Sequence, residues 1–128
     1  MKIESFLKTK NNTTTALVET IVEGIREKKG KRITIIDMGG IDDAICDYMV
    51  VAEGNTPTQV NALEDSVWDT VQKTLSDKPI HTHVGGGEWI AMDYVDVMVH
   101  LFVPELRKYY GLEQMWADAK QTSLPDED

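Results

Sequence analysis

The stretch from Glu88 to Ala119, EWIAMDYVDVMVHLFVPELRKYYGLEQMWADA, limits what this chain can fold into more than any other. Trp89–Tyr94 and Val95–Val103 alternate with a period of two and meet at a short turn, which predicts a β-hairpin. A hairpin commits the chain to a sheet whose register is set by that alternation. Trp89, Ala91 and Asp93 fall on one face, and Ile90, Met92 and Tyr94 on the other. His100 lies with Met98 and Phe102, opposite Val97 and Val99. Glu105–Lys120 then reads as one or two helical pieces broken near Gly111. Asp93 and Asp96 flank the turn, and no nucleophile sits beside a base. Such a stretch suits a surface that grips a partner better than a catalytic pocket.

The preceding residues supply the remaining layers. Leu17, Val18, Ile21, Val22 and Ile25 share one face of a predicted helix over Thr13–Lys29, with Gly30 at its C′ position. Ile33–Met38 is a short β-branched run, and Asp47–Ala52 a second strand. Thr56 caps the next helix, with Pro57 at its first position and Gln59 completing a capping box. Val60, Leu63, Val67, Val71 and Leu75 form its buried stripe. Pro79–Val84 is expected at a sheet edge, because Pro79 cannot donate to a ladder. If the strands flanking this helix are neighbours, they form a parallel pair. The expectation is an α/β (α+β) domain: a small mixed sheet with flanking helices over residues 13–120. Residues 1–12 read as a polar leader and 121–128 as a frayed acidic tail.

Charge argues against nucleic acid as the main contact. Acids outnumber bases 22 to 13, for a net charge of −9, and the bases are scattered. A protein that binds nucleic acid through phosphates needs a basic patch. No apolar run approaches the roughly 18 residues of a membrane span. The first residues lack a signal peptide's apolar centre, so a cytoplasmic location is expected. The single cysteine, Cys46, cannot form an intrachain disulfide. No cofactor or catalytic residue is implied.

Several motifs invite a sharper reading. His81-Thr82-His83 could contribute to a zinc site, but one His-x-His on an edge strand is read as a solvated edge, and no metal is predicted. Gly85-Gly86-Gly87 leads into a strand and not a helix, so it is read as a flexible connection. Cys46 has an acidic neighbour, Asp47, which disfavours a thiolate. Gly54-Asn55-Thr56 before a helix resembles the opening of nucleotidyltransferase sites. There a later strand carries two carboxylates for two metal ions. Here that strand reads Asp96-Val97-Met98, which suggests a nucleotidyltransferase-like topology without a complete catalytic set. An enzyme using Thr56, Asp93 and Asp96 on a nucleotide is the alternative function. A homodimeric module with Trp89 or Trp116 in the interface is a third. Trp89 is either a binding anchor or a residue packed under the C-terminal helix. His100 is either a structural histidine or a contact. Arg107 is expected to pair with Glu113. Trp116, with Leu112, Met115 and Ala119, is expected in the core, and Trp68 beside its helix stripe is expected to be half-buried.

Taken together, Glu88-Trp89, Asp93-Tyr94-Val95-Asp96, Val97 with Val99-His100, Arg107 with Tyr110, and Leu112-Glu113 with Trp116 resemble the Iojap-like family of ribosomal silencing factors. Asp47-Tyr48 and Glu53-Gly54-Asn55-Thr56 extend the resemblance over roughly residues 13–119. It implies a domain that binds the large ribosomal subunit through a basic ribosomal protein, the fourteenth of that subunit. It would thereby block subunit joining by occlusion and repress translation, without covalent chemistry. The implied contacts are Trp89, Asp93, Tyr94, Asp96 and His100, with Arg107 and Tyr110 beside them. The family carries glycine where this chain has Val95. A β-branched residue is costly at positive φ, so a turn of different geometry, with a bulge, is expected here.

Overall fold

The computed structural model describes residues 12–85 and 87–127. The proposed leader therefore lies outside the described residues, apart from Asn12. Helix α1 (Asn12–Glu27) is followed by β1 (Lys31–Asp37), β2 (Tyr48–Glu53), α2 (Pro57–Leu75) and β3 (His81–Gly85). The hairpin strands β4 (Trp89–Asp93) and β5 (Val97–Phe102) come next. They are followed by α3 (Pro104–Tyr110), α4 (Leu112–Met115) and β6 (Lys120–Ser123). The strands form one sheet in the order β3-β4-β5-β2-β1-β6. The expected mixed sheet is present, and β3 is an edge strand as Pro79 implied. The parallel pair is β2 with β5, and not β2 with β3. The crossover from β2 runs through α2, β3 and β4 before the chain returns beside β2.

Helices α1 and α2 cover one face of the sheet. Their apolar stripes meet Ile33, Ile35, Tyr48, Val50, Ile90, Met92, Val97, Val99 and Leu101 in one buried cluster. Each fully buried aliphatic side chain contributes about 1.5–3 kcal/mol, so this layer dominates stability. The two helices approach closely at Gly24, where a Cβ would meet the Val67 Cα at 2.9 Å. Ser66 Oγ donates to the Gly24 carbonyl there at 2.7 Å. The Thr56 cap of α2 follows its sequence, but the capping box does not close on Thr56 N, because Gln59 reaches the amide one residue earlier. Thr56 Oγ1 accepts from Gln59 N at 3.1 Å, and Gln59 Oε1 accepts from Asn55 N at 2.7 Å. Gln59 Nε2 also donates to the carbonyls of Lys28 and Lys29, tying α2 to the end of α1. The left-handed residue at that end is Lys29, one position before the expected glycine. Gly30 is required for space: a Cβ would lie 2.4 Å from Ile25 Cγ2.

The C-terminal segment departs from expectation. Lys120–Ser123 pairs antiparallel with β1, and Leu124 is buried. Arg26 donates to the Pro125 carbonyl, and Asp126 Oδ1 accepts from Arg32 N. Residues 121–127 are therefore part of the domain and not a frayed tail. Periodicity cannot reveal this, because KQTS has no apolar alternation; the strand exists because β1 offers it a free edge.

The hairpin turn also differs from expectation. Val95 keeps φ at +74°, the conformation its branched side chain disfavours. Asp96 N donates to the Tyr94 carbonyl at 2.9 Å, closing a γ-turn centred on Val95. Surrounding bonds hold it. Asp93 Oδ1 accepts from Val95 N at 2.8 Å, Tyr94 N donates to the Val97 carbonyl, and the Asp96 carbonyl accepts from Asp47 N and Tyr48 N.

Candidate partner-binding face

The other face of the sheet is covered unevenly. Over β1, β2 and the end of β5, Leu106, Leu112, Trp116 and Ala119 pack on Ile36, Met38, Met49, Val51 and Phe102. Met115, expected beside Trp116, points outward and is 63% exposed. Trp68, on the opposite side of the sheet, is exposed at 40%, more than the half-buried place expected beside the α2 stripe.

Over β3, β4 and β5 the face carries rings. Trp89 lies opposite Phe102, and Ala91 opposite both His83 and His100. With only a methyl group at Ala91, the larger side chains around it converge. Trp89 stacks within 8° of parallel on Phe102, at a centroid distance of 5.9 Å. It stacks on His100 at 6.2 Å. His83 meets Trp89 edge-on at 5.5 Å, and Tyr110 of α3 lies 5.1 Å from it. Trp89 remains half-buried and Tyr110 exposed, so the cluster has an open side.

His100 sets the cluster's polarity. Its Nδ1 accepts from Trp89 Nε1 at 3.3 Å, which assigns the ring proton to Nε2. Nε2 is buried and has no hydrogen-bond partner among the described residues. Burial pushes the His100 pKa down to about 4, so the ring is neutral at pH 7 and orients the indole without adding charge.

The structure divides the seven sequence-predicted site residues. Trp89, His100 and Tyr110 come together, although His100, 6% exposed, is buried within the cluster and supports the indole from the protein side. Asp93 shares their face, half-buried, at the far end of β4, about 13 Å along the strand. Asp96 is exposed in the turn. Tyr94 is a correction: it is buried among the residues of the helical face, as its alternation with Trp89 required. Arg107 is a second correction. It is 8% exposed and held at all three nitrogens: Nη1 to the Arg32 carbonyl (2.6 Å) and Glu53 (3.2 Å), and Nη2 to Thr34 Oγ1 (3.0 Å). Its Nε reaches Glu113 at 3.3 Å, the pairing expected. It ties α3 to the sheet from a buried position. Phe102 and His83 belong to the cluster and were missed. The hairpin register could have found Phe102, because pairing Trp89 across the turn puts it opposite.

The enzyme alternative loses its geometry. Thr56 follows the C-terminal end of β2, whereas Asp96 bonds to Tyr48 at the N-terminal end. At about 3.3 Å per residue, a strand length separates them. Cys46 is buried, and that burial, with nearby Asp47, Asp93 and Asp96, pushes its thiol up to about 11.

Residues 11–128 match the family model described as ribosomal silencing factor during starvation. The chain belongs to the ribosomal silencing factor family. The silencing factor of Chromobacterium violaceum is 32% identical over 99 residues, covering 77% of this chain and 80% of that protein. That of Zymomonas mobilis is 28% identical over 109 residues, covering 85% and 81%. A crystal structure from Chromobacterium violaceum superposes with a TM-score of 0.74 at 30% identity, covering 80% of this chain and 84% of that one. The chloroplastic Iojap protein of Arabidopsis thaliana is 31% identical over 81 residues, 63% of this chain and 34% of its own length. The two curated bacterial relatives are named ribosomal silencing factors. Among the described residues of this family member, no helix is long and apolar enough to cross a membrane.

Proposed function

We propose that this silencing factor docks on the large ribosomal subunit through the ring cluster on β4 and β5, with Trp89 as the anchor. Its receptor would be a basic ribosomal protein, the fourteenth of the large subunit by family resemblance. Occlusion of the small subunit would repress translation in the cytoplasm. The reading is carried by one observation: Trp89 is half-exposed, clasped by His83, His100, Phe102 and Tyr110, on a face that α3 and α4 leave open. A rigid aromatic with a fixed N–H loses little entropy on binding and buries a large area. Asp93, Asp96 and the net charge of −9 would steer the domain to a basic receptor. Arg107 would hold Tyr110 in place without touching the partner.

The test is co-sedimentation with purified large subunits, comparing wild type with Trp89→Ala after confirming that the variant folds. Truncating such an anchor weakens binding by about thirtyfold or more. Retained binding by a folded Trp89→Ala moves the surface elsewhere. No binding by wild type removes the docking reading.

A further inference from the structure

The two edges of the sheet are treated differently. β6 is blunted: it has four residues, begins with Lys120, and is followed by a segment pinned by Leu124 and by Arg26 with Glu127. β3, HTHVG, has no Lys, Arg, Asp or Glu, and no strand lies beyond it among the described residues. Ile80, just before it, and Val84, within it, are 69% and 52% exposed. Uncharged open edges with exposed apolar side chains are templates for another strand.

The ladder phase shows which backbone groups are offered. Val103 N donates to the Glu88 carbonyl and Tyr94 N to the Val97 carbonyl. In an antiparallel ladder this alternation turns Ile90 and Met92 toward β5, and Trp89, Ala91 and Asp93 toward β3. Their partners Gly85, His83 and His81 therefore face inward. Thr82 and Val84 turn their N–H and C=O groups out from the sheet. The side chain between them, His83, is the one that touches Trp89. An incoming strand would lie directly beside the ring cluster.

We propose that β3 is a strand-addition edge, and that its occupant is an extended basic segment of the docking partner, paired through the main chain of Thr82 and Val84. This rests on the docking reading above and specifies how the partner is held. Charge selects the occupant. Asp77 precedes β3, Glu88 follows it and Asp93 lies opposite His81, with Lys78 the base adjoining them. A basic segment complements those acids. A second copy paired antiparallel would bring the Asp77 end of one β3 to the Glu88 end of the other.

The experiment uses the full chain and purified large subunits. Amide exchange is measured free and bound, and binding is compared for wild type, Trp89→Ala and Val84→Pro. Proline is tolerated on an edge strand where its missing N–H faced solvent. The expected result is at least about tenfold slower exchange at Thr82 and Val84 in the complex, and at least about tenfold weaker binding by folded Val84→Pro. Unchanged exchange at both amides in a complex that still depends on Trp89 overturns strand addition and leaves the docking reading standing. So does full-strength binding by folded Val84→Pro. If Val84→Pro fails to fold, wild-type exchange alone decides. No complex with wild type removes both proposals.

Discussion

Replacing Arg107 by alanine separates a residue that builds the site from one that touches the partner. Its guanidinium serves Glu53, Glu113, Thr34 Oγ1 and the Arg32 carbonyl from a position 8% exposed. Glu53 is itself 12% exposed at its side chain. Removal leaves that carboxylate without its closest cation, and a hydroxyl and a carbonyl without their donor. Breaking a buried pair from one side costs about 3–5 kcal/mol, largely because the surviving charge stays buried. For a domain of this size the loss corresponds to a fall in melting temperature of roughly 12–20 °C. Urea denaturation followed by far-ultraviolet circular dichroism measures it, since the aromatic cluster could distort a fluorescence readout. Neutralising the stranded acid with Glu53→Gln in the Arg107→Ala background should recover about 1 kcal/mol or more, as coupling within one network allows. A loss below about 1 kcal/mol combined with lost ribosome binding would refute the structural role and return Arg107 to the contact surface.

Three further outcomes follow from single features. His100 is neutral in the fold, with its pKa lowered from 6.5 to about 4 by burial. Below pH 6.5 the unfolded chain takes up a proton that the folded chain refuses, so stability is full above that pH and falls by about 3 kcal/mol as pH drops to 4; His100→Phe should flatten that stretch of a pH–stability curve. Val95→Gly relieves a branched residue at φ +74° and should raise stability by about 1 kcal/mol after glycine's own entropic cost, measured as a urea midpoint; a lower midpoint sinks the γ-turn account. Leu124→Ala should cost about 2–3 kcal/mol if the C-terminal segment is part of the core, whereas a frayed tail would show no change in thermal melting.

Much of the fold was legible because its determinants are local. The stripe from Val60 to Val71 and the Thr56–Gln59 cap act within a few residues of one another. The hairpin alternation placed Trp89 and His100 on the face opposite Ile90 and Val99, and by that logic excluded Tyr94 from it. The Val95 turn misled for an instructive reason. Intrinsic preference disfavours the conformation, but the bonds from Asp93, Tyr94 and Asp96 over-determine it, and an exposed side chain adds no clash. The C-terminal strand was hidden because its polar sequence pairs through backbone alone.

What the sequence by itself determined were the helices, the hairpin, the edge character of β3 and the family, all of which are written in short-range periodicity, capping and motif. Only the tertiary structure decided that β2 pairs in parallel with β5, that β6 completes the sheet, that Arg107 is buried in a network, and that Tyr110 from a separate helix joins His83, Trp89, His100 and Phe102. Those outcomes depend on which distant elements compete for the same edge, face or buried charge. That competition is settled by burial and hydrogen-bond satisfaction across the whole domain.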